Sequence, residues 1–311
     1  MVYLAGLGRS GSTLLERLLG EMAGACPAGE VVHLWLRGVR DGERCGCGQP
    51  FLACPFWEAV GQEAFGGWAQ VDVDRITRLR ARVDRSRFLP QLASPILRRR
   101  LQPALDEYVR YYQRLYAAVG QVSGAPVVID SSKHASLAFC LRSSPGLDLR
   151  VIHMVRDPRA VAYSWSKIVD RPEGASGSQM STYTPASAAL RWNLQNSALQ
   201  LLSQLGTPTL RVRYEDFTAA PAATLSRIAA FAGLPGGPDF SFLGTDGPGR
   251  WWADLGATHT ASGNPMRFTT GRIGIRHDDT WQTGMMAGNR RTVTTLTLPL
   301  LMRYGYLGGA A

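Results

Sequence analysis

The opening of the chain constrains everything after it. An apolar run, Met1 to Ala5, meets Gly6-Leu-Gly-Arg-Ser-Gly11-Ser-Thr13, and leucines then recur as Leu14, Leu15, Leu18 and Leu19. This pattern predicts a buried strand, a glycine-rich loop and an amphipathic helix. The two glycines and the Ser12-Thr13 pair have the spacing of a phosphate-binding loop, with Ser12 where a nucleotide hydrolase carries lysine. Such a loop turns backbone N–H groups toward an anion, and the positive end of the following helix adds to the attraction. Anion binding therefore survives the substitution. The lysine grip on β- and γ-phosphates does not, which argues against an ATP or GTP hydrolase. Arg9, inside the loop, supplies a cation in its place.

Further strands are expected at Pro126–Ile129, ending at Asp130, at Leu149–Val155 and at Thr209–Tyr214. Helices are expected over Ala186–Leu205 and Leu225–Ala232, and near the end from Arg290 to Tyr304. Between Val71 and Val119 the pattern is helical, divided by Pro90, Pro95 and Pro103. Asp157 and Pro158 read as an N-cap and first-turn proline of another helix running through Trp165. From Pro235 to Thr280 the chain reads as loop, and Arg171–Pro185 as a Gly/Ser/Thr-rich loop. Continuous apolar strands alternating with helices imply an α/β fold: a parallel sheet with helices on both faces, in a single domain over residues 1–311 with helical and loop insertions.

Charge narrows the ligand class. The net charge is +10, which favours anionic ligands. Only two of the 34 Lys and Arg residues are lysine, Lys133 and Lys167. Lysine is a compact point charge where arginine is a planar fork, so a lysine kept in an arginine-using chain is a candidate for function. The arginines of the Arg75–Arg100 helices alternate with apolar residues and lack interleaved aromatics, so they read as a solvated face and not as a nucleic-acid surface. The start of the chain has neither a basic leader nor the length to span a membrane, and five cysteines is an odd number for a disulfide framework. A cytoplasmic enzyme is expected, without nucleic-acid or membrane partners; the oligomeric state is left open.

Several segments together resemble the sulfotransferases that use 3'-phosphoadenosine 5'-phosphosulfate (PAPS). GLGRSGSTLL resembles their 5'-phosphosulfate loop. Val151-Ile-His-Met-Val-Arg156-Asp-Pro-Arg-Ala-Val-Ala-Tyr-Ser164 resembles their 3'-phosphate motif, and Arg213-Tyr-Glu-Asp their RYED segment. The resemblance runs from Met1 to about Tyr306, with the motifs in the family's order. It implies that Arg9, Ser10, Gly11, Ser12 and Thr13 hold the 5'-phosphosulfate and that Arg156 and Ser164 hold the 3'-phosphate. It also sets Tyr214 near the nucleotide, and it implies a late loop over the donor with Asn264 and Arg267 as contacts.

The chemistry so implied is an in-line sulfuryl transfer to a hydroxyl of a small-molecule or natural-product acceptor, leaving 3'-phosphoadenosine 5'-phosphate (PAP). It needs a base, a cation at the leaving oxygen and no metal. Glu30, in a Gly-Glu pair like that of the tyrosylprotein-type relatives, is the expected base, with its pKa raised by partial burial. His33 and His134 are the rival bases. Lys133 is the expected cation, and Asp130 reads as a cap or an ion partner. Cys45-x-Cys47-x₆-Cys54 leaves open zinc with a fourth ligand such as Cys26 or His33, a disulfide, or free thiols. The alternative readings are a P-loop-type nucleotide kinase or hydrolase and a non-catalytic nucleotide-binding protein.

Overall fold

The computed structural model describes residues 1–168, 181–235 and 239–307; most of the Gly/Ser-rich stretch, residues 169–180, and residues 236–238 lie outside the described residues. Five parallel strands form the central sheet: β1 Val2–Ala5, β2 Ala25–Gly29, β3 Val127–Lys133, β4 Arg150–Val155 and β5 Thr209–Arg213, in the order β2-β3-β1-β4-β5. The two-residue alternation of β1 divides the core. Val2 and Leu4 pack with Leu15, Leu18 and Leu19 of the helix α1 (Ser12–Gly20), whereas Tyr3 and Ala5 face the helices Pro55–Phe65, Val73–Val83 and Gln102–Ser123. Each leucine so buried contributes about 2 kcal/mol.

The expected α/β fold is present, with three differences. β2, Ala-Cys-Pro-Ala-Gly, is an edge strand beyond those expected, since Pro27 and Gly29 break any apolar run. β3 continues past Asp130 to Lys133, because its register slips by one residue between Tyr3 and Ala5 of β1 and lets the strand bend. The region expected to be loop after Pro235 contains a second, antiparallel sheet, β6 Leu243–Thr245, β7 Trp251–Leu255 and β8 Gly271–Ile275. Ala253, Leu255 and Ile275 carry it onto the same core as α1. Among the described residues, no helix is long and apolar enough to cross a membrane.

One buried group makes stability depend on pH. His153 of β4 is 2% exposed, and its Nε2 lies 2.7 Å from Asn196 Oδ1. Burial outweighs the Asn196 hydrogen bond and brings its pKa down from 6.5 to about 4. The unfolded chain thus takes up a proton that the folded one refuses. The associated stability is intact above pH 6.5 and is lost as pH falls toward 4, amounting to about 2 kcal/mol at pH 5. Glu16 and Asp130, pushed up by burial to about 7 and about 6, act in the opposite sense over an overlapping range. Comparison with His153→Gln isolates the histidine: in urea unfolding, the wild type loses more stability than the variant between pH 7.5 and pH 5. Parallel profiles would remove this assignment.

Candidate active site

The residues singled out in the sequence converge on one edge of the sheet. Ala5 ends β1, Gly29 precedes Glu30 at the end of β2, Lys133 closes β3, Arg156 follows β4 and Tyr214 follows β5. The strand order reverses around β1, and open parallel sheets bind ligands at the carboxyl ends of strands at such a point.

The loop after β1 has the geometry of an anion cradle. Gly11 caps α1 in the left-handed region at φ 85°, and the first turn has neither a side-chain cap nor an acidic residue. The N–H groups of that turn are left to a ligand. A Cβ on Gly11 would lie 2.5 Å from the Tyr214 ring, so glycine is required both for the backbone and for close packing. Ser10 and Ser12 are buried, and Thr13 is half-buried. The Arg9 guanidinium stacks over Trp165, 5.3 Å from its ring centroid, while Trp165 Nε1 donates to Gly8 O at 3.0 Å.

Backbone strain gathers at the same place. Among the described residues, three non-glycines have positive φ: Arg9 at 74°, Lys133 at 72° and Ser262 at 50°. Each costs on the order of 1 kcal/mol or more and persists because its surroundings hold it. Lys133 O accepts from Gly6 N at 3.1 Å and from Gln195 Nε2 at 2.5 Å, tying the lysine to the start of the cradle. Asp130 is buried and accepts from Ser132 N at 2.7 Å and from Tyr116 at 2.5 Å; it holds the strand end as a turn-forming acid.

Glu30 and Lys133 form a direct, largely buried ion pair. His33 Nε2 lies 3.7 Å from the other carboxylate oxygen, and the His33 and His134 rings meet edge to face at 6.0 Å. The three candidate bases thus share one cluster. Its electrostatics differ from the expectation of a raised Glu30 pKa. Burial does push Glu30 upward, but the charge and hydrogen bond of Lys133, with His33 adding to them in its acid, protonated form, outweigh it and bring the carboxyl to about 2. Burial lowers His33 to about 3, so the imidazole is neutral. Behind the pair, buried Glu16 accepts from Gly29 N at 2.9 Å and from Ser131 Oγ at 2.7 Å, and so fixes the backbone on both sides of it.

Arg156 is 6% exposed. It donates to Arg9 O at 3.1 Å and to an Asp278 carboxylate oxygen at 2.8 Å, and it stacks on Tyr214 at 4.4 Å. Burial alone would raise Asp278, yet hydrogen bonds from Arg156 and Thr280 take it to about 2. Ser164 is half-buried on the helix Pro158–Ser166, which opens at the cap Asp157 directly after Arg156.

The late loop is held by its own side chains. Asn264 spends its side-chain oxygen on Met266 N at 3.0 Å, as the cap of a short 3₁₀ turn. Arg267 is 2% exposed; its guanidinium donates to Arg44 O at 2.7 Å and lies over Phe268. Its own carbonyl accepts from Arg17 of α1 at 2.9 Å. Both side chains thus brace the loop in which they stand. The fourth group beside Cys45, Cys47 and Cys54 is His259, and neither Cys26 nor His33: Cys26 lies within β2 and His33 faces Glu30. Asp278, Glu16 and His259 were not singled out for these places. Each meets its partner across more than a hundred residues of sequence.

Taken together, these features define an α/β enzyme with an anion cradle and an acid–lysine pair at the carboxyl edge of a parallel sheet. Residues 2–238 match the sulfotransferase family, and the chain belongs to it. Human carbohydrate sulfotransferase 6 is 28% identical over 184 residues, 54% of this chain and 44% of that protein, so the chain spans under half of that relative's length. The sulfotransferase domain of the Synechococcus PCC 7002 olefin synthase is 20% identical, covering 96% of this chain and 94% of that domain, with a TM-score of 0.46. The sulfotransferase domain of the curacin biosynthetic pathway is 16% identical over 96% of this chain and 97% of that domain, with a TM-score of 0.47.

Proposed function

We propose that this sulfotransferase takes the sulfuryl group of PAPS and delivers it to a hydroxyl of a small-molecule or natural-product acceptor. The observation that carries the reading is the Glu30–Lys133 pair lying against the start of the glycine-rich loop. The residues present suit the donor: the uncapped first turn of α1 with Arg9, Ser10, Gly11, Ser12 and Thr13 for its 5' end, and Arg156 with Ser164 for its 3'-phosphate.

PAPS, when bound, supplies an activated sulfur–oxygen bond whose cleavage leaves PAP. The remaining chemistry belongs to the chain. The cradle N–H groups and Arg9 hold negative charge at the reacting end. The Lys133 ammonium sits within reach of that charge and stabilises the leaving phosphate oxygen. In turning toward it, Lys133 leaves Glu30, and the buried carboxylate then rises from its resting pKa of about 2 toward a value suited to a base. Glu30 accepts the acceptor's proton, and neutral His33 steadies the carboxylate. Nothing in this sequence of steps calls for a metal. A P-loop-type kinase or hydrolase lacks support here, since Ser12 cannot replace the missing lysine.

Titration calorimetry with PAP, followed by a mass-based screen of hydroxyl acceptors with PAPS, tests the reading. Micromolar PAP binding and a product heavier by one sulfuryl group are expected; absence of binding at millimolar PAP removes the proposal. Gly11→Ala is expected to weaken PAP about tenfold, because a left-handed alanine costs 1–2 kcal/mol and the added methyl meets Tyr214. Unchanged affinity by calorimetry would place the anion elsewhere.

A further inference from the structure

Three thiols and one imidazole, brought from two distant segments, meet at one point. Cys45 and Cys54 are fully buried and Cys47 is half-buried. Their Sγ atoms and one ring nitrogen of His259 all lie within 4.8 Å of one another. A tetrahedral zinc with Zn–S of about 2.3 Å and Zn–N of about 2.0–2.1 Å requires ligand-to-ligand edges of roughly 3.8 Å between sulfurs and roughly 3.5 Å between sulfur and nitrogen. Cys47 and Cys54 Sγ are 3.7 Å apart. Cys54 Sγ and Cys45 Sγ lie 3.2 and 3.8 Å from His259 Nδ1. The sulfur–sulfur separation also exceeds a disulfide bond of about 2.05 Å by far.

The surroundings hold the four groups in place. Cys45 N donates to Gln49 O and Gly48 N to Cys45 O, both at 2.8 Å, closing a tight turn between the first two thiols and the third. His259 stacks on Phe56 at 5.0 Å with rings 16° apart, and its carbonyl accepts from Trp57 Nε1 at 2.7 Å. The ring is thus oriented from both ends of its residue.

We propose that Cys45, Cys47, Cys54 and His259 bind one zinc ion in a closed, structural Cys₃His site. Soft thiolates select zinc over magnesium, calcium or manganese, and four protein ligands leave no open position for chemistry. The site has a second consequence. Next to His259, Thr260 O accepts from Gly46 N, Ala261 N donates to Ala28 O, and Glu30 N donates to Ala261 O, each at 2.9 Å. Gly29 must be glycine here, since a Cβ would lie 2.1 Å from Ala261 O. The metal therefore pins the segment that fixes the backbone of Glu30. This consequence rests on the proposed role of Glu30; the metal site itself does not.

The test uses the full chain, purified without chelator or affinity-tag metal. Elemental analysis is expected to give about one zinc per chain, and cobalt(II) exchange to give the d–d and thiolate charge-transfer bands of a tetrahedral sulfur-rich site. Cobalt exchange needs no variant, so it stands even if substituted chains fold poorly. His259→Cys is expected to keep one metal and His259→Ala to lose it; removing the metal lowers Tm on the order of 5–10 °C. A chain that carries no zinc and shows no cobalt bands overturns the proposal. So does a Cys47–Cys54 disulfide found by peptide mapping, or full zinc in a Cys45→Ser/Cys54→Ser chain. Failure here leaves PAP binding untouched, and failure of PAP binding leaves the metal untouched.

Discussion

Glu30→Gln is expected to lower turnover about 10²–10⁴-fold while leaving PAP affinity within about threefold. Glutamine keeps the size of the side chain and an oxygen facing Lys133, but it cannot take a proton from the acceptor. The resting ion pair sharpens the expectation. With Lys133 beside it, Glu30 sits at about 2 and is a poor base in the free enzyme. It becomes useful only once Lys133 has turned to the leaving oxygen. The acid limb of kcat, which reports the ternary complex, should therefore lie at higher pH than that of kcat/KM, which reports the free enzyme. The sign follows from the requirement for a deprotonated carboxylate: raising its pKa moves the loss of activity on acidification to higher pH. Coincident limbs would contradict the exchange of partners. Survival of turnover in Glu30→Gln, with its loss in His33→Gln or His134→Gln, would transfer the role to that histidine.

Much of the sheet was legible because β1, the first half of β3 and most of β4 are apolar runs whose neighbouring residues feed opposite faces, as Val2 and Tyr3 do, whereas β2 has no such run. The site was legible for a related reason. Glu30, Lys133 and Arg156 each stand at a strand end, and strand ends in parallel sheets are where ligands bind. What the sequence could not reveal depends on distant partners. The Glu30 pKa follows from a lysine 103 residues away, and burial alone suggested the wrong sign. The cysteine loop spelled out three groups of the proposed metal site but not the fourth, which arrives from 214 residues beyond Cys45. The hydrogen bond from Arg267 to the carbonyl of Arg44 likewise spans 223 residues. The strands β6 to β8 run three to five residues, and β6 and β8 include glycines, so they are too short for a period to show.

Arg156→Ala is expected to weaken PAP at least about a hundredfold, because a charge-assisted fork to phosphate is lost, and to weaken adenosine 5'-phosphosulfate only severalfold. The two ligands differ at the 3' position, so the contrast reads the 3'-phosphate. A complication is that Arg156 also donates to the carbonyl of Arg9 and so steadies the cradle itself. Loosening of the cradle would weaken both ligands alike, and equal losses would thus count against a 3'-phosphate contact. Asp278 offers the complementary change. Its carboxylate holds the other terminal nitrogen of the same guanidinium at 2.8 Å and is itself partly exposed, so an incoming phosphate competes with it. Asp278→Asn keeps the shape of that contact while removing its charge. PAP affinity is then expected to rise severalfold, with adenosine 5'-phosphosulfate unchanged. Two changes of opposite sign, both larger for the ligand with a 3'-phosphate, cannot come from damage to the loop. They require that phosphate and Asp278 share one arginine.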